Sequence, residues 1–163
     1  LIDDWLIKQD YKIYISNDNA LGQVVLSGEM NSIDYILSNK KNLKIRKAIK
    51  LLVSAPFHCE LMDHASKILS SEVKKVKFKN FNVPLYSNVT SLACNYNEIS
   101  DLLVKQVLCK VRWREIVENM ISDGFTKFIE IGPGNVLTNL IKRISNHVES
   151  YSISKIEDLK KIS

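Results

Sequence analysis

His58 is the residue of this 163-residue chain best suited by type and setting to move a proton. An imidazole changes its charge near neutral pH and is the commonest general base. His58 follows a small-residue turn, Ser54-Ala55-Pro56, and Phe57. Before the turn runs an apolar stretch, Ile49-Lys50-Leu51-Leu52-Val53. After it, Leu61, Met62, Ala65, Ile68 and Leu69 recur on one helical face. The histidine therefore falls where a buried strand hands over to a helix. Loops at such junctions often carry chemistry, because rigid elements flank them. On position alone, a histidine that merely caps a helix is the commoner outcome. Cys59 beside it raises a Cys–His nucleophile as an alternative. Neighbouring side chains on an extended segment point apart, which makes that the weaker reading.

Other residues carry less. Gln106 falls on an apolar stripe with Leu102 and Leu103, where an unpartnered buried amide would cost about 1–3 kcal/mol. From the residues alone it reads as a boundary glutamine. Gly132-Pro133-Gly134 precedes a helix start, and helix N-termini favour anions. No Gly-x-x-x-x-Gly-Lys-Ser/Thr or Gly-x-Gly-x-x-Gly accompanies it, so a tight strand-to-helix turn is the better reading. His64 and His147 read as surface residues. The odd count of three cysteines, Cys59, Cys94 and Cys109, and their wide spacing argue against a disulfide framework or a zinc site. Free thiols fit a reducing compartment, and the cytoplasm is the expected one.

The elements that must position these residues follow from periodicity. Residues 1–9 read as the tail of a helix with Trp5 and Leu6 apolar, and 12–16 as a short strand. Asn17-Asp18-Asn19 reads as a turn, 23–27 as the partner strand and 31–40 as a helix. Residues 45–53 return as a strand. Helix packed on sheet is the natural reading of this portion. Then come a helix over 61–74, a strand over 83–90 and a helix over 98–109. A second helix carries Trp113, Ile116, Val117, Met120 and Ile121. A short buried strand at 127–131 and a helix at 136–145 complete the pattern, and the last dozen residues read as a frayed polar tail.

The net charge of +5 is lysine-heavy, with short runs at 40–41, 74–75 and 160–161. No aromatic-interleaved basic stripe stands out, which argues against nucleic acid. A mildly positive surface suits an acidic partner. No run approaches a membrane span. Leu1-Ile2-Asp3-Asp4-Trp5 lacks the basic flank of a signal peptide.

Four segments, in order, carry a family resemblance. They are Asn17-Asp18-Asn19-Ala20-Leu21-Gly22-Gln23-Val24-Val25, Ala55-Pro56-Phe57-His58-Cys59-Glu60-Leu61-Met62, Val104-Lys105-Gln106-Val107 with Val111-Arg112-Trp113, and Glu130-Ile131-Gly132-Pro133-Gly134-Asn135-Val136-Leu137. Together they resemble malonyl-CoA:acyl carrier protein transacylases and the acyltransferase domains of fatty-acid and polyketide synthases. Leu21 and Lys110 stand where that family usually has proline. The resemblance covers residues 12 to 145.

The resemblance implies an α/β fold. Residues 1–53 would form an incomplete ferredoxin-like α+β small subdomain whose first strand is missing. Residues 54–150 would be the C-terminal part of a parallel-sheet, α/β-hydrolase-like large subdomain, and 151–163 a polar tail. It implies that His58 is the general base, oriented by the backbone carbonyl of Gln106. Phe57 would bear on acyl choice, and Asn17, Asn19 and Asn88 would lie near the cleft. Malonyl would pass from malonyl-CoA, through an acyl-serine, to the phosphopantetheine thiol of acyl carrier protein, with no metal and no bound cofactor. The family's Gly-His-Ser-x-Gly nucleophile is not among these residues, nor is its arginine segment. The expectation is therefore a C-terminal half whose partners are malonyl-CoA, the carrier and a separate N-terminal half bearing the serine. An inactive remnant and a carrier-binding module are the alternatives. An isolated half would expose sheet edges and be poorly soluble.

Overall fold

The computed structural model describes residues 12–162. The helix expected over residues 1–9 lies outside them. The described chain begins with an antiparallel hairpin, β1 (Ile13–Ala20) and β2 (Gln23–Gly28). Its turn is Leu21-Gly22, with Gly22 at φ +74°, and not the asparagine cluster. Asn17-Asp18-Asn19 lies inside β1, where the register shifts between Ile15 and Asn17 and again between Asp18 and Ala20. The turn composition marked bulges, which insert a residue without ending a strand. At the hairpin's open end a Cβ on Gly28 would sit 2.3 Å from the Lys12 carbonyl oxygen, so only glycine lets the strands close there.

Helix α1 (Met30–Asn39) follows. The strand expected over 45–53 is absent: these residues form no helix or strand. Leu52 is fully exposed, and Ile49, Leu51 and Val53 are more than half exposed. A 3₁₀ turn, Glu60–Met62, leads into α2 (Asp63–Val73), which packs on α3 (Ile99–Lys105). Between them the expected long strand shrinks to β3 (Leu85–Tyr86), paired with β4 (Ala93–Cys94). The rest of 83–90 is loop, with Val83 largely exposed.

The C-terminal part holds the main core. Helix α4 (Trp113–Ser122) lays Ile116 and Val117 inward and packs on β1. Strand β5 (Lys127–Ile131) leads through the Gly-Pro-Gly turn into α5 (Val136–Ile144). The chain then returns as β6 (Glu149–Ile153), parallel to β5, and ends in a 3₁₀ turn, Ile156–Lys161. The frayed tail is thus an ordered strand and cap, and the boundary drawn at residue 151 cuts through β6. Its polar residues are used: Asp158 accepts from the backbone N–H groups of Ser154 (2.9 Å) and Lys155 (3.1 Å). Val117, Phe128 and Ile141 form the buried centre, with Trp113, Met120, Ile121, Ile144 and Val148 around it. Each such side chain, fully buried, contributes roughly 1.5–3 kcal/mol. Among the described residues there are one parallel and two antiparallel strand pairs, a mixed α/β arrangement. No described helix is long and apolar enough to cross a membrane.

Candidate active site

The loop that carries His58 is fixed by its neighbours. The Phe57 N–H donates to the Ala55 carbonyl at 3.0 Å, and the Met62 N–H to the Cys59 carbonyl at 3.0 Å. Cys59 is buried, and its thiol donates to the Pro56 carbonyl at 3.0 Å. Burial pushes that thiol's pKa up, which keeps it protonated and unsuited to nucleophilic attack. Between these anchors His58 adopts φ +60°, a left-handed conformation that L-residues seldom take and that gathers at functional sites.

That backbone twist brings His58 Nδ1 to 2.8 Å from the carbonyl oxygen of Gln106. The acceptor has a simple origin. Gln106 caps the C-terminus of α3, donating its own N–H to Leu102, and the last carbonyls of a helix lack partners within it. A carbonyl can only accept, so Nδ1 must carry the proton. In the neutral ring Nε2 then holds the lone pair, and no described residue hydrogen-bonds it. The arrangement is an imidazole with one nitrogen anchored and the other ready to take a proton. The same carbonyl remains a good acceptor when the ring is doubly protonated.

Other expected residues are joined to this pair unequally. The Asn88 amide donates to the Gln106 side-chain oxygen at 3.4 Å, and the Asn88 carbonyl accepts the Arg112 N–H at 3.4 Å. Asn17 reaches the region through backbone: Val111 donates to Ser16 at 2.8 Å and accepts from Asp18 at 2.9 Å. The Asn17 side chain accepts the Ser16 hydroxyl, at 3.1 Å. Asn19 lies half-buried at the second β1 bulge. Phe57 is about half exposed beside His58. His64 and His147 are exposed.

Sequence reasoning missed the residues that brace the site. Arg112 donates from Nη1 to the carbonyls of Val89 (3.2 Å) and Thr90 (3.1 Å), and pairs with Glu115. It thereby ties the loop bearing Asn88 to the start of α4. Arg114 clamps Asp18 of β1 at 2.8 Å and Glu118 at 3.0 Å. Both arginines have acidic residues three or four positions on, a spacing visible in the sequence. Glu130 occupies the N-terminus of α5, accepting from the N–H groups of Leu137 (3.1 Å) and Thr138 (2.8 Å) and from the Thr138 hydroxyl (2.7 Å). Its burial raises the carboxyl pKa, but these donors outweigh that and hold it below the usual 4.5. The Gly-Pro-Gly turn therefore presents a helix end already filled by the chain's own carboxylate. No cluster of three metal-ligating side chains occurs among the described residues.

The curated proteins and the solved structures that match this chain are of one kind. No family model matches the chain. It is 31% identical over 159 residues to the malonyl CoA-acyl carrier protein transacylase of Bacillus subtilis (strain 168), across 97% of this chain and 50% of that protein. It is 36% identical over 156 residues to the transacylase of Staphylococcus aureus (strain MSSA476), across 95% of this chain and 51% of that one. Among solved structures, the transacylase of Clostridium perfringens superposes with a TM-score of 0.91 at 33% identity, covering 99% of this chain and 52% of its own. A malonyl-transacylase in complex with its type II PKS acyl-carrier protein superposes at 0.90 with 32% identity, covering 96% and 51%. The chain spans about half the length of the curated relatives it matches. It is homologous along nearly its whole length to malonyl CoA-acyl carrier protein transacylases and shares the fold of the portion it matches.

Proposed function

We propose that this chain is the histidine-bearing C-terminal half of a malonyl-CoA:acyl carrier protein transacylase, with His58 as general base. The observation that carries the reading is the 2.8 Å contact from His58 Nδ1 to the Gln106 carbonyl, which leaves Nε2 as the proton acceptor. The half-length match to transacylases supports the reaction class. The nucleophile is a serine on polypeptide outside these 163 residues, since no Gly-x-Ser-x-Gly occurs within them.

Nε2 takes the serine proton as the hydroxyl oxygen attacks the malonyl thioester. The tetrahedral adduct collapses, the C–S bond breaks, and Nε2–H returns the proton to the coenzyme A thiolate. In the second half-reaction the phosphopantetheine thiol of the carrier gives its proton to Nε2 and attacks the acyl-serine. The serine recovers the proton as it leaves. One anchored ring thus serves both directions. Gln106 positions the ring through its backbone, and Asn88 steadies Gln106. Phe57, beside the base, bears on which acyl group fits. Asn17 and Asn19 line the approach from the hairpin. The carrier is acidic, in keeping with the net charge of +5, and the setting is cytoplasmic. The small and large subdomains meet near residue 53.

A second reading is a carrier-binding module or remnant without turnover. Intact-mass measurement of malonyl transfer to holo carrier protein separates the two. This chain is assayed with the unmatched half of the S. aureus relative, with His58→Ala as control. Transfer lost in the control supports the base. Carrier binding without transfer, from associated folded halves, supports the module.

A further inference from the structure

The turn over residues 87–91, which carries Asn88, is fixed at every carbonyl. The Ser91 N–H donates to the Ser87 carbonyl at 2.8 Å, and the Val89 N–H to the Ser87 hydroxyl at 3.1 Å. The remaining carbonyls accept from α4 and its cap. The Arg112 N–H reaches that of Asn88 at 3.4 Å, and Arg112 Nη1 those of Val89 at 3.2 Å and Thr90 at 3.1 Å. The Asn119 amide reaches that of Ser91 at 2.9 Å. Ser87 and Ser91 are buried, and Ser91 sits at φ +61°. Left-handed backbone at an L-residue persists where its surroundings over-determine it, and it gathers at functional sites.

Arg112 is the centre of this bracing. Its Nε and Nη2 grip the Glu115 carboxylate while Nη1 spans both turn carbonyls. A planar fork of fixed donors does both at once, which a single ammonium cannot.

The turn so held presents the Asn88 amide to the Gln106 side-chain oxygen at 3.4 Å. Gln106 lies just past the last helical residue of α3, where helices fray. Pinning its side chain resists fraying, and so holds the carbonyl that His58 Nδ1 meets at 2.8 Å. We propose that Arg112 is a positioning residue for the His58 imidazole, acting through the turn and Asn88 on the end of α3. Its bearing on malonyl transfer rests on the reading of His58 as base. Its bearing on the ring's tautomer does not.

Nitrogen-15 spectra of the full chain, labelled at histidine, read that tautomer directly. The His58 signals are assigned by their loss in His58→Asn. In the unsubstituted chain Nδ1 is protonated and Nε2 is bare. In Arg112→Ala the ratio of that tautomer to the other falls by about threefold to tenfold, the worth of one hydrogen bond, and the two shifts converge. Asn88→Ala does the same, and the double variant adds nothing to either. Arg112→Lys behaves as Arg112→Ala. Ile141→Val, which weakens the core, leaves the shifts in place. With the unmatched half of the S. aureus relative added, Arg112→Ala lowers malonyl transfer at saturating substrate by about threefold to tenfold, with KM unchanged.

Unchanged shifts in folded Arg112→Ala overturn the proposal, as do effects of Arg112→Ala and Asn88→Ala that add. Convergence in Ile141→Val assigns the effect to stability and overturns it too. Where Arg112→Ala does not fold, Asn88→Ala decides: convergence upholds the relay, and unchanged shifts overturn it. Converged shifts with transfer absent, or indifferent to His58→Ala, leave the positioning role standing and remove the catalytic reading.

Discussion

The two sides of His58 are built differently. Downstream, Cys59 is buried, a 3₁₀ turn starts at once, and α2 packs on α3, whose last carbonyls include that of Gln106. Upstream, an apolar run stands in solvent with no backbone partner among the described residues. The downstream side draws its contacts from within this chain, so the 2.8 Å contact at His58 is made by this chain's own residues. The upstream side has the residues of a strand without the strand beside it. The placing of His58 and the pairing of the run before it are thus separable properties.

The largest effect expected is on chemistry. In the assembled protein, His58→Ala should lower malonyl transfer by about 10²–10⁴, the span of general acid–base catalysis. Transfer that survives would remove the meaning of the downstream order. The next experiment sets the two regions against each other directly. Ile141→Ala, in the core, should cost about 2–5 kcal/mol in denaturant unfolding of the chain by itself. Leu52→Ala should stay within about 0.5 kcal/mol there, as exposed sites do. A large cost at Leu52 would mean that the run is already covered.

A smaller effect concerns the cap on α5. Glu130→Gln should cost about 1 kcal/mol near neutral pH, as lost helix caps do. Because the folded-state pKa lies below the usual 4.5, the stabilisation is complete above that value. It fades as pH falls through the lower folded-state pKa. Unfolding midpoints should therefore drop more steeply with acid in the unsubstituted chain than in the variant, and parallel curves would refute the assignment. The smallest effect is at Gln106. On the proposed reading its main-chain oxygen orients the ring, so Gln106→Ala should change transfer by less than about tenfold, the loss being the long 3.4 Å contact to Asn88. A loss as deep as that of His58→Ala would assign the side chain the role given to the backbone.

Helices with strong periodicity were legible: α1, α4 and α5 lie within a residue or so of where their apolar spacing puts them. So was the histidine's place before a helix. What local pattern could not supply was pairing. The Asn17–Asn19 cluster looks like a turn because composition cannot tell a bulge from a reversal. Residues 45–53 look like a strand because apolar content reports a preference for burial and not the presence of a neighbour. The tail looked frayed because Glu149–Ile153 is polar on one face. Ser150 and Ser152 turn toward α5 and its preceding turn, where they bond the carbonyls of Thr138 and Gly134. The clamp of Arg114 on Asp18 spans most of the chain, beyond any local rule.

The left-handed backbone at His58 sets the fold against its own use. At φ +60° an asparagine or glycine would sit with less strain than the imidazole does. Selection for thermal endurance alone would drift position 58 toward those residues, and the chain would melt later as it lost its imidazole. On the proposed reading of His58 as the base, the histidine there gives up heat resistance for reactivity, so any library screened for melting temperature should hold this codon fixed.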